Sequence, residues 1–230
     1  MTDDNQHMQI WDEVQTTDPD HTKPVSFGRK FTAIDAHYQV KMATKQFGAI
    51  GHGWGYGTEF IETHLQDGRI LINCDLTLWW NSKGKEWEGI PGPDIGNSFG
   101  PIRGCATLVT INNDGKLKID NDAPKKASTD ALTKCLSHLG FNADVFLGMF
   151  DDNKYVEKLR AQKKGDRAKR TAFIKEIEAA LSNDGITVVC DNYKTWIDGL
   201  EDERSTELNK WVSKERLRFA EKADGSVSQD

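Results

Sequence analysis

Hydrophobic side chains recur at helical spacing between residues 34 and 47. Ile34, Tyr38 and Met42 are four residues apart. A second row of hydrophobic residues accompanies them: Val40, Ala43 and Phe47. Both rows fall on one face of an α-helix, and Gly48 tolerates the left-handed backbone that ends many helices. The pattern therefore predicts an amphipathic helix over residues 34–47.

A second helical pattern spans residues 122–140. Asp122 is a residue type that caps helices, Pro124 fits a first turn, and Gly140 is typical of a helix end. One face carries small and hydrophobic side chains: Ala127, Ala131, Leu132, Cys135, Leu136 and Leu139. The other face carries polar side chains: Lys126, Asp130, Thr133, Lys134 and Ser137. Because the residues at 127, 131 and 135 are small, this helix is expected to lie close against a sheet.

Between these helices, hydrophobic and polar residues alternate as they do in β-strands. Residues 59–65 and 69–80 are predicted strands, and the QDG sequence at 66–68 is typical of a hairpin turn. The NSKGK sequence at 81–85 predicts a second turn before a third strand at 86–90. These three strands are expected to pair in antiparallel order.

A loop and a further hairpin are predicted to follow these strands. Residues 89–104 are rich in glycine and proline, which interrupt regular structure. Residues 105–120 alternate again and turn at the NDG sequence at 113–115. Together the elements predict an α+β fold, in which a curved antiparallel sheet is packed by a long helix in a β-β-β-α core.

The first two thirds of the chain are predicted to hold a leader and a domain. Residues 1–23 are rich in Asp, Thr and Gln and are expected to form a mobile acidic leader. Residues 24–155 contain both helical patterns and the alternating segments. They are therefore expected to form one folded domain.

The last third of the chain is more polar. Residues 156–170 include KLRAQKKGDRAKR and are interpreted as a charged helical linker, a type of segment that is more often solvated than bound to DNA. Residues 171–218 are expected to form a small, mostly helical appendage, in which ITVVC at 186–190 suggests a strand. Residues 219–230 are expected to be a disordered tail.

Composition and charge distribution leave a nucleic-acid partner open. The chain has 230 residues, 37% of them hydrophobic, and seven tryptophans, which is typical of a globular protein. The formal net charge is −6, but residues 21–50 hold five bases and one acid, and residues 151–170 hold eight bases and four acids. Since phosphate attraction acts over about 8–10 Å in ordinary salt, these basic blocks matter more than the total charge.

No hydrophobic run in the sequence approaches the length of a membrane span. The N-terminal sequence is acidic where a signal peptide would be basic. The protein is therefore expected in the cytoplasm, without a membrane partner.

The sequence shows no arrangement typical of an active site or a metal centre. The four cysteines form no CxxC pair, and the six histidines lack HxxxH or HExxH spacing. The glycine-rich GHGWGYG sequence fits neither common phosphate-binding motif. The candidate carboxylates form no recognisable two-metal motif: Asp75, Glu86, Glu88, Asp151 and Asp152. No catalytic residue, metal or cofactor is therefore predicted, and a nuclease is disfavoured.

Five motifs in order carry a resemblance to a known family. They are GRKFTAIDAHYQVKMATKQFG at 28–48, GWG at 53–55, QDGR at 66–69, KKASTDALTKCLSHLGF at 125–141 and GMFDDNKY at 148–155. Over residues 24–155 the sequence resembles the phage single-strand annealing proteins related to the eukaryotic recombination mediator Rad-fifty-two. The resemblance implies a β-β-β-α core and an oligomeric ring. It also implies ATP-independent binding and annealing of single-stranded DNA in homologous recombination and DNA repair.

The resemblance further implies which basic side chains line a DNA groove. Lys30, Lys125 and Lys134 match basic positions of the family motifs. Four more are added because they are basic and close to these motifs: Arg29, Lys41, Lys45 and Lys126. Such side chains neutralise phosphates and leave the bases free to pair, so annealing needs no acid or nucleophile.

Three positions depart from the family pattern. Thr133 and Ser137 stand where the eukaryotic proteins have basic residues, and Ala33 stands where they have an aromatic. Stacking of a base at position 33 is therefore excluded. The alternative aromatic candidates are Phe31, Tyr38 and Trp54.

A second function stays open at this point. The protein would then be a recombination mediator that loads a recombinase or contacts a single-strand-binding protein through its acidic ends and helical appendage. The expected partners are single-stranded DNA, further copies of the chain and, on the second view, a single-strand-binding protein. A phage origin would place the protein in the cytoplasm of a bacterial host.

Overall fold

The chain divides into two units, Met1–Glu157 and Lys158–Asp230. This computed structural model describes five stretches of the chain: residues 8–26, 31–81, 97–112, 114–200 and 202–224. Each unit has a hydrophobic core of its own. The predicted α+β class is confirmed, because the first unit packs helices on a curled antiparallel sheet and the second is helical.

Four short elements begin the first unit. They are the helix α1 (Gln9–Val14), the paired strands β1 (Thr22–Val25) and β2 (Phe31–Ile34), and the helix α2 (Ala36–Phe47). The Asp35 side chain accepts a hydrogen bond of 2.9 Å from a backbone N–H in the first turn of α2. Because of this cap, α2 begins at Ala36, two residues after Ile34, where the hydrophobic pattern begins.

The segment predicted as a mobile leader is partly folded. Ile10 and Val14 of α1 pack in the core of the first unit, and Val14 is 2% exposed. The Trp11 side chain lies against Gly140, where an added methyl group would overlap it. The acidic composition suggested disorder, whereas these hydrophobic side chains are enough to dock a short helix on the core.

The sheet of the first unit has four antiparallel strands in the order β3 (Trp54–His64), β4 (Ile70–Trp80), β5 (Asn97–Ile111) and β6 (Leu117–Ile119). Both predicted hairpins are confirmed, since β3 pairs with β4 and β5 pairs with β6. The register between β4 and β5 shifts twice, and such irregularities bend strands. The predicted third strand at 86–90 lies outside the described residues, as does most of the turn before it.

The strand β5 begins earlier than the sequence pattern predicts. Residues 97–104 belong to the segment predicted as a loop, but they lie in a strand that pairs with β4. At Gly104, an added methyl group would overlap the Ala127 carbonyl oxygen and the Ala131 backbone nitrogen. The glycine is therefore needed for helix packing and does not mark a loop.

The helix α3 (Ala123–His138) packs across β4 and β5. Ala127, Ala131 and Cys135 are fully buried. Gly140 has a φ of 97° just after the helix end, as its position in the sequence predicted. The stripe of small side chains is thus the face that contacts the sheet.

A short helix, α4 (Ala143–Phe146), follows α3, and three long helices complete the chain: α5 (Asn153–Ala179), α6 (Asn183–Asp198) and α7 (Asp202–Asp224). The core of the second unit includes the following buried side chains: Phe173, Ile177, Ile186, Leu208 and Val212. None of the described helices combines the length and the apolar character that a membrane span requires.

The second unit differs from three predictions. Residues 156–170 are helical as predicted, since their polar sequence is rich in strong helix formers, but they are part of α5 and not a separate linker. The ITVVC sequence is helical in α6, where the Ser182 side chain caps the helix and Ile186 is buried in the core. The helix α7 continues to Asp224, beyond the predicted start of a tail at residue 219.

Candidate nucleic-acid interface

Five of the seven predicted DNA-binding residues lie in described parts of the chain, whereas Arg29 and Lys30 lie outside them. Lys41 and Lys45 are exposed on α2 and four residues apart, so they lie on the same side of the helix. Lys125 is exposed in the first turn of α3. The side chains of Lys41 and Lys125 form no ion pair with any described residue.

A hydrogen bond joins α2 to α3. The Thr133 hydroxyl donates to the side-chain oxygen of Gln39 at 2.8 Å, and Gln39 is 2% exposed. The Gln39 amide in turn donates to Asn142 at 3.4 Å. Thr133 therefore has a structural role at the position where the resemblance would place a basic residue. A charged side chain there would have to lie against a buried amide.

Lys126 is bound by an acidic side chain of the same unit. Its ammonium group donates a hydrogen bond of 2.6 Å to the Asp120 carboxylate, just before α3. This hydrogen bond raises the pKa of Lys126 and lowers the pKa of Asp120. A phosphate would have to compete with this carboxylate, so Lys126 is less available for DNA than Lys125.

Lys134 contacts the edge of the sheet. Its ammonium group lies 2.7 Å from the Asp130 carboxylate and donates a hydrogen bond of 3.2 Å to the Arg103 carbonyl oxygen. Asp130 also accepts a hydrogen bond of 3.1 Å from the backbone N–H of Cys105. The side chains of Lys134 and Asp130 thus form hydrogen bonds with main-chain groups of β5, in the part of that strand that does not pair with β6. Lys134 therefore stabilises a strand edge.

Arg103 is a basic residue that the sequence reasoning missed. Its guanidinium donates two hydrogen bonds of 2.6 Å to Asp75 on β4. Because the neighbouring Gly104 faces α3, the Arg103 side chain lies on the opposite face of the sheet. The hydrogen bonds lower the pKa of Asp75 and raise that of Arg103. Asp75 is therefore the carboxylate of an ion pair with Arg103. The pairing follows from the register of β4 and β5 and could not be predicted from neighbouring residues in the sequence.

The other candidate carboxylates give no metal site in the described chain. Glu86 and Glu88 lie outside the described residues, and Asp151 and Asp152 are exposed. Within the described ranges, no group of three or more His, Cys, Asp or Glu side chains is arranged to hold a metal ion.

The four cysteines are free thiols, and Cys74 and Cys135 are buried. Cys105 is exposed and Cys190 is partly buried. Burial raises the pKa of the Cys135 thiol to about 11, so this side chain stays protonated near neutral pH. Cys135 therefore acts as a core residue.

The structure separates the three aromatic candidates for base stacking. Tyr38 is 7% exposed and stacks on His21 with ring centroids 4.4 Å apart, and Trp54 is fully buried. Neither of these rings can stack on a base. Phe31 is 52% exposed on β2 and is accessible to a ligand.

Two further aromatic rings are exposed on β3, and the sequence reasoning did not single them out for stacking. Tyr56 is 39% exposed and Phe60 is 46% exposed. Phe60 pairs with Cys74 and Tyr56 pairs with Leu78, and both partners are fully buried in the core that includes residues of α3. Since side chains two residues apart along a strand share a face, both rings lie on the face that carries α3. No local pattern marks them as exposed, because their exposure depends on α3 packing on β4 and β5 and not on β3.

The face of the sheet that carries the helices thus combines exposed cations with exposed aromatic rings. We call this the α2–α3 surface and define it by Lys41, Lys45, Lys125, Tyr56 and Phe60. Cations there can neutralise phosphates, and aromatic rings can stack on bases. The surface can therefore hold a nucleic-acid strand.

Comparisons with known proteins do not assign the chain to a family. No protein-family model matches the sequence, and no curated protein matches it significantly. The resemblance to the single-strand annealing proteins therefore rests on the sequence motifs.

Proposed function

We propose that the protein binds single-stranded DNA and anneals complementary strands without ATP, in homologous recombination and DNA repair. The observation that carries the proposal is the α2–α3 surface, where exposed lysines lie on the same face of the sheet as exposed aromatic rings. The motifs that resemble the annealing family include α2 and α3. Sequence resemblance and surface chemistry therefore support the same function.

The physical task of annealing matches such a surface. Two complementary strands repel each other through their phosphates, and the repulsion falls when a protein neutralises the backbone. Aromatic stacking holds a strand without using the base edges that must pair. Neither step consumes a nucleotide or needs a metal ion.

A homo-oligomeric ring is part of the proposal. The strand β3 is 11 residues long, lies at one edge of the sheet, and is exposed from Tyr56 onwards. At the other edge, Leu117 and Ile119 of β6 are 67% and 64% exposed. Because the two edges differ, pairing of one with the other between copies gives a head-to-tail contact, and such contacts close into rings when the rotation allows.

The experiment uses the purified chain and labelled oligonucleotides, without nucleotide or divalent metal. We expect binding at about 50 mM salt that weakens steeply towards about 200 mM, together with faster pairing of complementary strands. The variant Lys41→Gln/Lys125→Gln should flatten the salt slope by about 1.4, at about 0.7 per phosphate contact on a single strand. The control Lys194→Gln/Lys210→Gln removes two exposed lysines from α6 and α7 and should leave the slope unchanged.

Three results would redirect the proposal. A chain that stays monomeric and does not bind oligonucleotides at low salt would overturn it. Binding without faster pairing would favour the alternative, a mediator that loads a recombinase or contacts a single-strand-binding protein, and the separate core of the second unit supports that alternative as an interaction module. Magnesium-dependent shortening of the oligonucleotide would indicate a nuclease.

A further inference from the structure

A dense block of basic residues lies outside the α2–α3 surface, on α5. Residues 158–170 contain seven basic residues and one acidic residue. The helix is continuous from Asn153 to Ala179, so these side chains project from a single cylinder. Whether a ligand can reach each basic side chain depends on the face of α5 that the side chain occupies.

Five of these basic residues share one face of α5. They follow one another at spacings of three, one, three and three residues: Arg160, Lys163, Lys164, Arg167 and Arg170. At 3.6 residues per turn they lie within an arc of about 120° and along about 15 Å of the helix. We call this set the α5 stripe.

The acidic residue of the block does not neutralise the α5 stripe. The Asp166 carboxylate accepts a hydrogen bond of 3.3 Å from the indole N–H of Trp196 on α6. Asp166 is therefore directed towards the neighbouring helix and forms no ion pair with a described residue of the stripe.

Two members of the stripe have no charged partner among the described residues, whereas Lys163 and Arg167 each interact with another group. Arg160 and Lys164 are exposed and form no ion pair with any described residue. At the end of the stripe, Arg170 lies 3.1 Å from Glu207 of α7, with side chains 49% and 66% exposed. Such an exposed pair contributes little to stability, so another anion can replace the glutamate.

We propose that the α5 stripe binds the phosphate backbone of DNA, so that the second unit also holds the strand. The inference rests on the proposed function and gives a ligand to a segment whose sequence is typical of a solvated linker. At about 3.4 Å per nucleotide along a strand, 15 Å corresponds to about four phosphates. Arginine suits this contact because its guanidinium can donate two parallel hydrogen bonds to one phosphate.

An anionic membrane surface is a poorer match for this helix. A helix that lies in a membrane interface buries a broad apolar face beside its basic face. The apolar side chains of residues 158–170 are Leu159, Ala161 and Ala168, and Leu159 is already partly buried. DNA phosphates stay in water and need no such apolar face.

The experiment compares two double variants that remove the same charge from α5. Arg160→Gln/Lys164→Gln removes two residues of the stripe. Lys158→Gln/Lys169→Gln removes two exposed lysines from the opposite side of the same helix. Glutamine is a good helix former, so circular dichroism should show unchanged helix content in both variants. Binding of a labelled single strand and of a duplex is measured against salt concentration.

We expect the stripe variant to flatten the salt slope by about 1.4 for the single strand and about 1.8 for the duplex, at about 0.7 and 0.9 per contact. The control variant should leave both slopes unchanged. Equal effects of the two variants would overturn the inference. So would loss of binding to phosphatidylserine vesicles in the stripe variant while its DNA slopes match those of the wild type, because a membrane would then be the ligand.

The result is separable from that for the proposed function. If the wild type binds DNA and Lys41→Gln/Lys125→Gln weakens binding while the stripe variant does not, the inference fails and the proposed function stands. If only the stripe variant weakens binding, the inference stands and the α2–α3 surface is excluded as the site. If the wild type binds no DNA, both fail.

Discussion

The helices α3 and α5 both carry exposed basic side chains, but two of the three lysines of α3 are paired with carboxylates of the same unit. Lys126 and Lys134 lie 2.6 Å and 2.7 Å from the carboxylates of Asp120 and Asp130. On α5, Lys164 forms no ion pair with any described residue. Exposed basic side chains on different helices therefore differ in how much positive charge they can offer to a ligand.

The difference comes from where the acidic side chains point. Asp130 precedes Lys134 by four residues, which places the two side chains next to each other on the helix surface. Asp166 precedes Arg170 by the same four residues, but its carboxylate accepts a hydrogen bond from Trp196, and Arg170 pairs with Glu207 instead. Lys126 and Lys134 of α3 therefore stabilise the fold, whereas Arg160 and Lys164 of α5 are available to a ligand.

The largest expected effect concerns the packing against the sheet of α3, the helix that carries Lys126 and Lys134. In Gly104→Ala the new methyl group would overlap backbone atoms of Ala127 and Ala131, so the helix must shift. We expect the free energy of unfolding of the first unit to fall by about 3 kcal/mol. Hydrogen exchange resolved by segment measures this loss and separates the two units.

The matched control for this prediction is Gly57→Ala. Gly57 is an exposed glycine of β3, and an added methyl group there has nothing within 4 Å. Its effect should stay within about 0.5 kcal/mol, and exchange in α5, α6 and α7 should be unchanged in both variants. Similar losses in the two variants would contradict the close approach of α3 to β5.

The second prediction compares a paired lysine with an unpaired one. Lys134→Met keeps the aliphatic stem but removes the contacts with Asp130 and the Arg103 carbonyl, so the first unit should lose about 1 kcal/mol of stability. Lys164→Met should change the stability of the second unit by less than about 0.5 kcal/mol. Faster hydrogen exchange around Cys105 would accompany the first change. Equal effects would show that Lys134 does not stabilise the strand edge.

The parts of the fold that the sequence predicted are those that local patterns determine. The periodicity of hydrophobic residues predicted α2 and α3, and the small side chains Ala127 and Ala131 predicted the packed face of α3. Gly68, with a φ of 86°, lies at the predicted turn between β3 and β4. Each of these features depends on residues that are close in sequence.

The features that the sequence did not predict depend on contacts between distant segments. The start of β5 in a glycine-rich stretch follows from the crossing of α3 at Gly104. The pairing of Arg103 with Asp75 follows from the register of two strands. Trp54 was a stacking candidate only because its burial cannot be inferred from neighbouring residues. The sequence thus located the cations of the candidate site but not their availability.

The third prediction tests whether α5 is the continuous helix that the stripe requires. Gly165 is exposed in the middle of the helix, and an added methyl group there has nothing within 4 Å. Gly165→Ala should stabilise this part of α5 by about 0.5–1 kcal/mol and slow its hydrogen exchange. The salt slope of DNA binding should be unchanged, because no charge is lost. Faster exchange would contradict the helical assignment of residues 158–170.

The smallest expected effect concerns stability at acid pH. Replacing a lysine that is paired with a carboxylate should change the acid dependence of stability, whereas replacing an unpaired lysine should not. The hydrogen bond from Lys126 holds the pKa of Asp120 below its ordinary value of 3.8. A carboxyl group with a lowered pKa contributes stability above that value, and the contribution is lost as the pH falls through the folded pKa. In Lys126→Met this contribution is absent, so the first unit should lose less stability than the wild type between about pH 5 and pH 2.

Unfolding free energies measured across this pH range check the prediction, with Lys164→Met as the control. Lys164 has no carboxylate partner among the described residues, so its replacement should not change the acid dependence of the first unit. Asp75, whose pKa is lowered by Arg103, contributes with the same sign in every variant. The informative quantity is therefore the difference between the curves. Parallel curves for the wild type and Lys126→Met would mean that Lys126 is as available to phosphate as Lys125, and the contrast between α3 and α5 would then depend on Lys134.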